Sequence, residues 1–178
     1  MTPPGAPRLP DGFVVVVKRE CETCVMVAPL LPQFATTVYT QDDPAFPDGA
    51  VHDADLAVSW HHEVETVPTV IKVVDGVEVD RTFGWVRSEW QRLTGITDLG
   101  EALPPFRPGC GSLSVDPDCA DALRAMFAGH TLKSRRLELA DLDDEMELMF
   151  DRGFTDGLPV VPPTEERVLR MLQGTTRA

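Results

Sequence analysis

The chain has 178 residues, enough for one well-packed domain, or for a domain of about 100 residues with an appendage. Its apolar and charged fractions are those of an ordinary globular protein. The net charge of -13 argues against a nucleic-acid partner and against anionic membrane surfaces, because both require clusters of Lys and Arg. A basic protein suits this charge better as a partner.

The first segment, residues 1–11, is rich in proline and glycine, and we expect a flexible or loosely docked arm. It has no positively charged start followed by a long apolar core, and the next apolar run is too short to span a bilayer. We therefore expect a cytoplasmic protein with no membrane association. Four cysteines in a reducing compartment are poor evidence for structural disulfides, which favours redox or metal chemistry.

The first predicted elements alternate between strand and helix. Residues 13–17 are apolar and mostly β-branched without alternation, which predicts a central strand buried on both faces. A helix is predicted from Val25 to about Thr36, with a kink at Pro29. A short strand over 37–40, a turn-rich loop and a short helix over 56–62 follow.

A hairpin and a helix are predicted next. Two β-rich runs, residues 68–74 and 77–83, flank Asp75-Gly76, which is a strong hairpin signal. The second run alternates apolar and polar residues, as is typical of an outer strand with one wet face. We expect Ser88 to cap a helix that ends at Gly95.

The motif Cys21-Glu22-Thr23-Cys24 lies at the junction between the first predicted strand and helix. The partial positive charge of a helix N-terminus favours a thiolate on the first cysteine, and the second is within reach to form a disulfide with it. This placement predicts thiol–disulfide exchange, in which Cys21 attacks and Cys24 resolves the mixed disulfide. A CxxC motif by itself also fits half of a zinc site.

Three further segments match a known pattern. Val25-Met26-Val27-Ala28-Pro29 follows the CxxC motif, Val67-Pro68-Thr69 comes at about the expected distance, and Asp75-Gly76-Val77-Glu78 follows as a hairpin. With these motifs, the stretch from Val14 to about Thr94 resembles thioredoxin. The resemblance implies an α/β thioredoxin-like fold over residues 12–96, with a central mixed sheet flanked by helices.

The resemblance also implies roles for individual residues. Pro68 would be cis and would lie beside the cysteine pair, and the backbone of Val67 would pair with an extended substrate. Cys21 and Cys24 would be the catalytic residues of a protein-disulfide reductase. Such an enzyme needs no bound cofactor, but it needs an electron donor, such as a reductase.

Several residues depart from the family pattern. Thioredoxins carry Trp before the first cysteine and Gly-Pro between the two, whereas here Glu20 precedes the motif and Glu22-Thr23 intervene. The buried acid that assists proton transfer in the family falls at Val15. Two carboxylates near the first cysteine oppose its ionisation, while Lys18 and Arg19 offset them. We expect a reducing poise and a dedicated substrate, either a disulfide-containing protein or a small thiol substrate.

The second half of the chain is expected to be a linker over 97–116 and a helical, acidic extension over 117–178. Asp116 is a good N-cap for the first helix of the extension. An amphipathic pattern over 142–150 predicts a second helix, and Thr164 is expected to cap a last helix that ends at Gly174.

Acidic residues are concentrated in this extension. Residues 137–166 contain ten acidic side chains, with Arg152 as the only Lys or Arg among them. The window is either a solvated helix face or a docking element for a basic protein, and the extension is also a candidate homodimer surface. Residues 156–167 resemble a segment of uncharacterised bacterial proteins, a resemblance that implies no activity.

Two further cysteines lie in the second half. Cys110 stands between two glycines, and Cys119 falls in the first turn of a predicted helix. They are either thiols without function or a second dithiol that exchanges electrons with the CxxC motif. Eight intervening residues permit a disulfide but do not specify one. Zinc bound by these cysteines and a histidine is a third alternative, but no second close pair is present, so we predict no metal site.

Three functions follow from these patterns. The first is a thioredoxin-like thiol–disulfide oxidoreductase that reduces a dedicated protein or small-molecule disulfide. The second is a binding or assembly module that keeps the fold and uses the acidic extension to hold a partner protein. The third is a thiol carrier for a metal or a sulfur atom.

Overall fold

The computed structural model describes residues 6–127 and 144–174. The chain divides into two compact units, Met1–Leu123 and Arg124–Ala178. No helix in the described parts is long and apolar enough to cross a membrane. The strands are β1 Gly12–Val17, β2 Thr37–Thr40, β3 Val51–His52, β4 Thr66–Val67, β5 Thr69–Val74, β6 Val77–Phe83, β7 Trp85–Val86, β8 Phe106–Arg107 and β9 Cys110–Gly111. The α-helices are α1 Glu22–Val27, α2 Ala57–His61, α3 Arg87–Thr94, α4 Pro117–Phe127, α5 Glu145–Asp151 and α6 Glu165–Gln173.

A mixed five-stranded sheet, in the order β3-β2-β1-β5-β6, forms the centre of the first unit. Strand β1 runs parallel to β2 and antiparallel to β5. Its residues 14–17 are fully buried, which confirms the prediction of a central strand covered on both faces. The predicted α/β class, with a mixed central sheet and flanking helices, is confirmed.

The helix that follows β1 differs from its prediction. It begins at Glu22, three residues earlier than expected, and is α-helical only as far as Val27. Residues 28–33 continue as a 3-10 helix that contains Pro29 and Pro32. Since neither proline has an amide hydrogen, neither can make the α-helical bond to the carbonyl four residues before it. The predicted kink at Pro29 is therefore a change of helix type.

The β5–β6 hairpin turns at Asp75-Gly76, as predicted, and contains a bulge at Lys72/Val73. The alternation in β6 correctly predicts an outer strand, but Val77 and Val79 are largely exposed. The helix after the hairpin ends at Gly95 as expected, but its N-cap is Val86 and not Ser88, because the helix begins before the serine.

The described part of the N-terminal arm is docked. Leu9 is buried in the core, and the carbonyl of Pro7 is hydrogen-bonded to the ring of His62 at 2.8 Å. The carboxylate of Asp11 accepts a hydrogen bond from the amide of Gly76 at 2.7 Å. Residues 6–11 are thus held by side-chain contacts, although their composition is typical of a loose arm.

Residues 106–111, which we call the strap, lie within the segment expected to be a linker. Strand β8 at its beginning pairs with β7, and strand β9 at its end pairs with β4. The indole of Trp85 donates a hydrogen bond to the carbonyl of Pro104 at 2.6 Å, just before the strap. Two backbone ladders therefore fix this proline-rich and glycine-rich segment to the first unit.

Helix α4 begins after Asp116, whose carboxylate accepts the amide of Asp118 at 2.9 Å, so the predicted cap is confirmed. In the second unit, the Asp144 side chain caps α5, and α6 runs between Thr164 and Gly174 as predicted. Thr164 makes no side-chain capping bond. Residues 137–143, which begin the acidic window and include the start of the amphipathic pattern, lie outside the described residues.

Candidate active site

The CxxC motif lies where β1 ends and α1 begins. Cys21 is the N-cap of α1 and has extended backbone angles, φ -95° and ψ 112°. The amide of Cys24 donates a hydrogen bond to Cys21 Sγ over 3.4 Å. Both cysteines are fully buried, so the first turn of the helix holds the two thiols side by side in the core.

Val67 and Pro68 lie beside this thiol pair. The thiol of Cys21 lies 3.5 Å from the carbonyl oxygen of Val67, to which it donates when protonated. The Val67–Pro68 peptide bond is cis, as the resemblance to thioredoxin implied. The carbonyl of Pro68 accepts the amide of Gly84 at 2.8 Å. The two predicted substrate-binding residues are thus brought to the first cysteine.

The surroundings of Cys21 favour its thiolate. Its pKa is lowered to about 5, chiefly because the Cys24 thiol donates a hydrogen bond to the sulfur. Burial raises this pKa, and the thiol of Cys110 and the amides of Cys24 and Thr23 lower it further. This pKa lies between the values of about 3.5 for the strongest oxidant thiols and about 7 for thioredoxin. Cys21 is therefore ionised at neutral pH.

The surroundings of Cys24 favour its protonated form. Burial raises its pKa far above the usual range, and the hydrogen bond that it gives to the Cys21 thiolate raises the pKa further. Val15, where the resemblance to thioredoxin would place a buried acid, is fully buried in β1 and cannot accept a proton. The site thus pairs an ionised thiol with a protonated one.

Two consecutive residues of the strap bind the two residues that stand between the CxxC cysteines. Arg107 forms an ion pair with Glu22. The hydroxyl of Thr23, itself buried, donates a hydrogen bond of 2.6 Å to the carbonyl of Pro108. The carboxylate of Glu22, one of two that were expected to oppose ionisation of the first cysteine, is therefore paired with a cation.

Cys110 is brought to the same place by the β4–β9 ladder. In this antiparallel ladder Cys110 lies opposite Val67, the residue whose carbonyl contacts Cys21. Burial and a hydrogen bond to Cys21 raise the pKa of Cys110, while Lys18 lowers it. The sequence pairs this thiol with Cys119 as a candidate second dithiol. No sequence signal indicates its partner Cys21.

Cys119 lies on α4, and the groups that shift the pKa of Cys21 do not include it. All four cysteines are free thiols in the structure. Within residues 6–127 and 144–174, no group of three or more His, Cys, Asp or Glu side chains is arranged to hold a metal ion. Cys110 and Cys119 are not joined by a disulfide in the structure, and Cys110 interacts with Cys21 of the CxxC motif.

Residues that follow the strap anchor it on the other side. Gln41, which is buried, donates to the hydroxyl of Ser112 at 2.6 Å and accepts the amide of Leu113 at 3.1 Å. The hydroxyl of Ser114 donates to the carbonyl of Val64 at 2.7 Å. The strap is therefore fixed at both ends, by the β7–β8 pairing before it and by these side-chain bonds after it.

Comparison of the chain with protein-family models, with curated proteins and with solved structures gave no match. The chemistry of the site therefore provides the evidence for a function. Its features are one thiol with a lowered pKa, two neighbouring thiols with raised pKa values, a carbonyl at 3.5 Å from the first thiol, and the strap.

Proposed function

We propose that the protein is a thiol–disulfide oxidoreductase with a thioredoxin-like fold that reduces a dedicated protein or small-molecule disulfide. The observation that carries the proposal is the position of Cys21 at the N-cap of α1, beside Cys24 and 3.5 Å from the carbonyl oxygen of Val67. The pKa of Cys21 is lowered to about 5 there, and that of Cys24 is raised. Thiol–disulfide exchange needs one thiolate that attacks the substrate and a second thiol that stays protonated until the mixed disulfide has formed.

The arrangement of elements supports the thioredoxin-like part of the proposal. The CxxC motif follows the central strand β1, and the cis Val67–Pro68 bond directly precedes β5 of the antiparallel hairpin. Cys21 and Val67 lie in contact, although 46 residues separate them in the sequence. These are the relationships that the resemblance to thioredoxin led us to expect.

The reaction proceeds by two exchanges. The Cys21 thiolate attacks one sulfur of the substrate disulfide, forming a mixed disulfide and releasing the other sulfur as a thiolate. Cys24 then attacks the sulfur of Cys21, and the second substrate sulfur leaves. The substrate gains two electrons, one proton from Cys24 and one proton from solvent, and the protein is left with a Cys21–Cys24 disulfide.

The second exchange needs Cys24 to lose its proton. Two of the causes that raise its pKa are its hydrogen bond to the Cys21 thiolate and the negative charge on that sulfur. Both causes disappear when Cys21 is in a mixed disulfide, so the pKa of Cys24 falls at the step where its thiolate is required. The departing substrate thiolate accepts a proton, in place of the acid that is missing at Val15.

Access to the site requires the strap to move. Cys21 is fully buried, and the residue before the cis proline is already paired with Cys110. An extended substrate segment that pairs with Thr66–Val67 would take the place of β9. This requirement favours a dedicated substrate that displaces the strap over a broad range of substrates.

Trapping with Cys24→Ser/Cys110→Ser tests the proposal. Without Cys24, and without the other thiol beside Cys21, a substrate is expected to accumulate as a mixed disulfide on Cys21. The matched control is Cys21→Ser/Cys24→Ser/Cys110→Ser, which should trap nothing by this route. Reduction of a model peptide disulfide by the wild-type protein and dithiothreitol, lost in Cys21→Ser, is the second expected result. If Cys21→Ser retains the full rate, the proposal is wrong.

The burial of both CxxC thiols is the one observation that favours a binding or assembly module instead. In that alternative the acidic extension holds a partner, and the thiols serve packing. Cys21→Ser separates the two functions, because a binding module would keep its partner and its biological function in this variant. Metal analysis of the reduced protein tests the third function, a thiol carrier.

A further inference from the structure

Cys110 is held at the CxxC motif by backbone pairing and by the contacts of its neighbours in the strap. It lies opposite Val67 in a two-residue ladder, and its neighbours in the strap are bound to the residues between the two CxxC cysteines. Gly109 has no room for a side chain, since a Cβ atom there would lie 2.6 Å from the carbonyl oxygen of Val67. The strap thus occupies the place that the proposed function gives to an extended substrate.

We propose that Cys110 is a third catalytic thiol, which takes over the disulfide of Cys21 from Cys24 and presents it to the dithiol that re-reduces the protein. The proposal rests on the proposed function, because the Cys21–Cys24 disulfide on which Cys110 acts is the product of substrate reduction. It goes further by naming the sulfur through which electrons enter.

The first step is an exchange within the protein. The Cys110 sulfur attacks Cys21, the Cys21–Cys110 bond forms, and the Cys21–Cys24 bond breaks. Cys24 leaves and receives the proton that Cys110 gives up, so no oxidant or reductant is needed. Burial favours the protonated form of Cys24 more than that of the other thiols, so Cys24 is the group that keeps this proton.

The oxidised state of the site also makes Cys110 easier to ionise. Two of the causes that raise its pKa, a hydrogen bond to Cys21 and the charge on that sulfur, are present only when Cys21 is a thiolate. The charge of Lys18 and the amide of Glu22, which favour the Cys110 thiolate, are independent of that state. Oxidation of Cys21 therefore leaves burial as the remaining cause that raises the pKa of Cys110, against these two favourable contacts.

The second step admits the external reductant. Cys110 is half-buried, whereas Cys21 and Cys24 are fully buried, so an external dithiol reaches Cys110 first. Its thiolate attacks the Cys110 sulfur, and Cys21 leaves as the thiolate with the lowest pKa of the site, which favours fast departure. The second thiol of the donor then releases Cys110, and the donor ends as a disulfide.

The test measures how dithiothreitol re-reduces the oxidised protein. Wild type, Cys110→Ser, Cys110→Ala and the control Cys119→Ser are oxidised with one equivalent of a peptide disulfide and then reduced. We expect both Cys110 variants to be re-reduced about tenfold more slowly than wild type, because the exposed sulfur is gone. Cys119→Ser should match wild type. Equal rates in all four proteins would overturn the proposal.

Peptide mapping supplies a readout that does not depend on rates. Oxidised wild type, quenched with acid and alkylated, should contain a Cys21–Cys110 disulfide beside the Cys21–Cys24 disulfide. Oxidised Cys24→Ser should contain Cys21–Cys110 alone. If only Cys21–Cys24 is found in wild type, and Cys24→Ser forms no internal disulfide, Cys110 is not a catalytic thiol.

The two proposals fail in different ways. Loss of Cys21–Cys110, with substrate reduction intact, would refute the role of Cys110 and leave the oxidoreductase standing. A Cys21–Cys110 disulfide in a protein that reduces no disulfide would refute the proposed function. Circular dichroism of both Cys110 variants confirms that they are folded before their rates are compared.

Discussion

Thr23 and Pro108 are joined by a hydrogen bond of 2.6 Å between residues 85 positions apart in the chain. The hydroxyl of Thr23 is buried between the two CxxC cysteines, and its acceptor is a carbonyl of the strap. This bond links the helix that carries the thiols to the segment that covers them. Breaking this bond should therefore change how readily a reagent reaches Cys21.

Replacing Thr23→Val should make Cys21 more accessible. The substitution keeps the shape of the side chain but removes the donor, which should lower the free energy of unfolding by about 0.5–1.5 kcal/mol. We expect alkylation of Cys21 by iodoacetamide at neutral pH to become faster. The control is Thr94→Val, which removes a Thr hydroxyl bond of 2.7 Å to Trp90 away from the strap. An equal change in alkylation in both variants would show that the effect is not specific to the strap.

Replacing Gly109→Ala should displace the strap. A Cβ atom at this position would lie 2.6 Å from the carbonyl oxygen of Val67, and backbone cannot yield as a flexible side chain would. We expect a loss of about 1–3 kcal/mol in the free energy of unfolding and faster alkylation of Cys21. The matched control is Gly111→Ala, because a Cβ atom there meets nothing within 4 Å. If both variants protect Cys21 as wild type does, the strap does not limit access.

The reactivity of Cys21 should rise with pH around a midpoint of about 5. The thiolate is the nucleophile, so the alkylation rate increases as pH rises through the pKa and is constant above it. Measurement of that rate against pH in Cys119→Ser, with the alkylated Cys21 peptide quantified by mass spectrometry, keeps both neighbouring thiols in place. A midpoint at the ordinary cysteine value of about 8.5 would contradict the prediction.

The stability of the reduced protein should depend on pH through the same group. Because the pKa of Cys21 is lower in the folded state than in the unfolded state, the unfolded state binds more protons between the two pKa values. The stabilisation is fully present above the unfolded pKa of about 8.5 and is lost as pH falls through about 5. Chemical denaturation of wild type should show this slope, and Cys21→Ser should lack it.

Removing either neighbouring thiol should raise the pKa of Cys21, but by different amounts. The hydrogen bond from Cys24 is the largest cause that lowers this pKa, and the bond from Cys110 is a smaller one. We expect a larger rise in Cys24→Ala than in Cys110→Ala, measured from alkylation or from thiolate absorbance against pH. The reverse order would mean that Cys110 is the principal partner of the thiolate.

Local sequence patterns predicted the core of the first unit well. The buried valine run of β1 and the Asp75-Gly76 hairpin have strong local signals, since burial on both faces and a tight turn each restrict residue choice. The first residue of α1 was predicted less well. Its N-cap is Cys21 itself, a residue type that is not among the preferred caps, so the start of the helix carried no signal.

The strap had no comparable signal. Pro104, Pro105 and Pro108 exclude a helix, and two-residue strands have no period that a sequence pattern can reveal. Its partners, Thr66–Val67 and Trp85–Val86, lie 20 or more residues earlier in the chain. The sequence pattern therefore predicts a linker here and groups Cys110 with the nearest remaining cysteine, Cys119.

The sequence by itself determined that two thiols lie at the junction of a buried strand and a helix, because local hydrophobicity and spacing specify both elements. Only the tertiary structure decided which groups surround those thiols. Val67, Cys110 and the carbonyl of Pro108 reach Cys21 and Thr23 through non-local backbone pairing and hydrogen bonds. Burial and neighbouring donors, which set the pKa of a thiol, are properties of that packing and not of the CxxC motif.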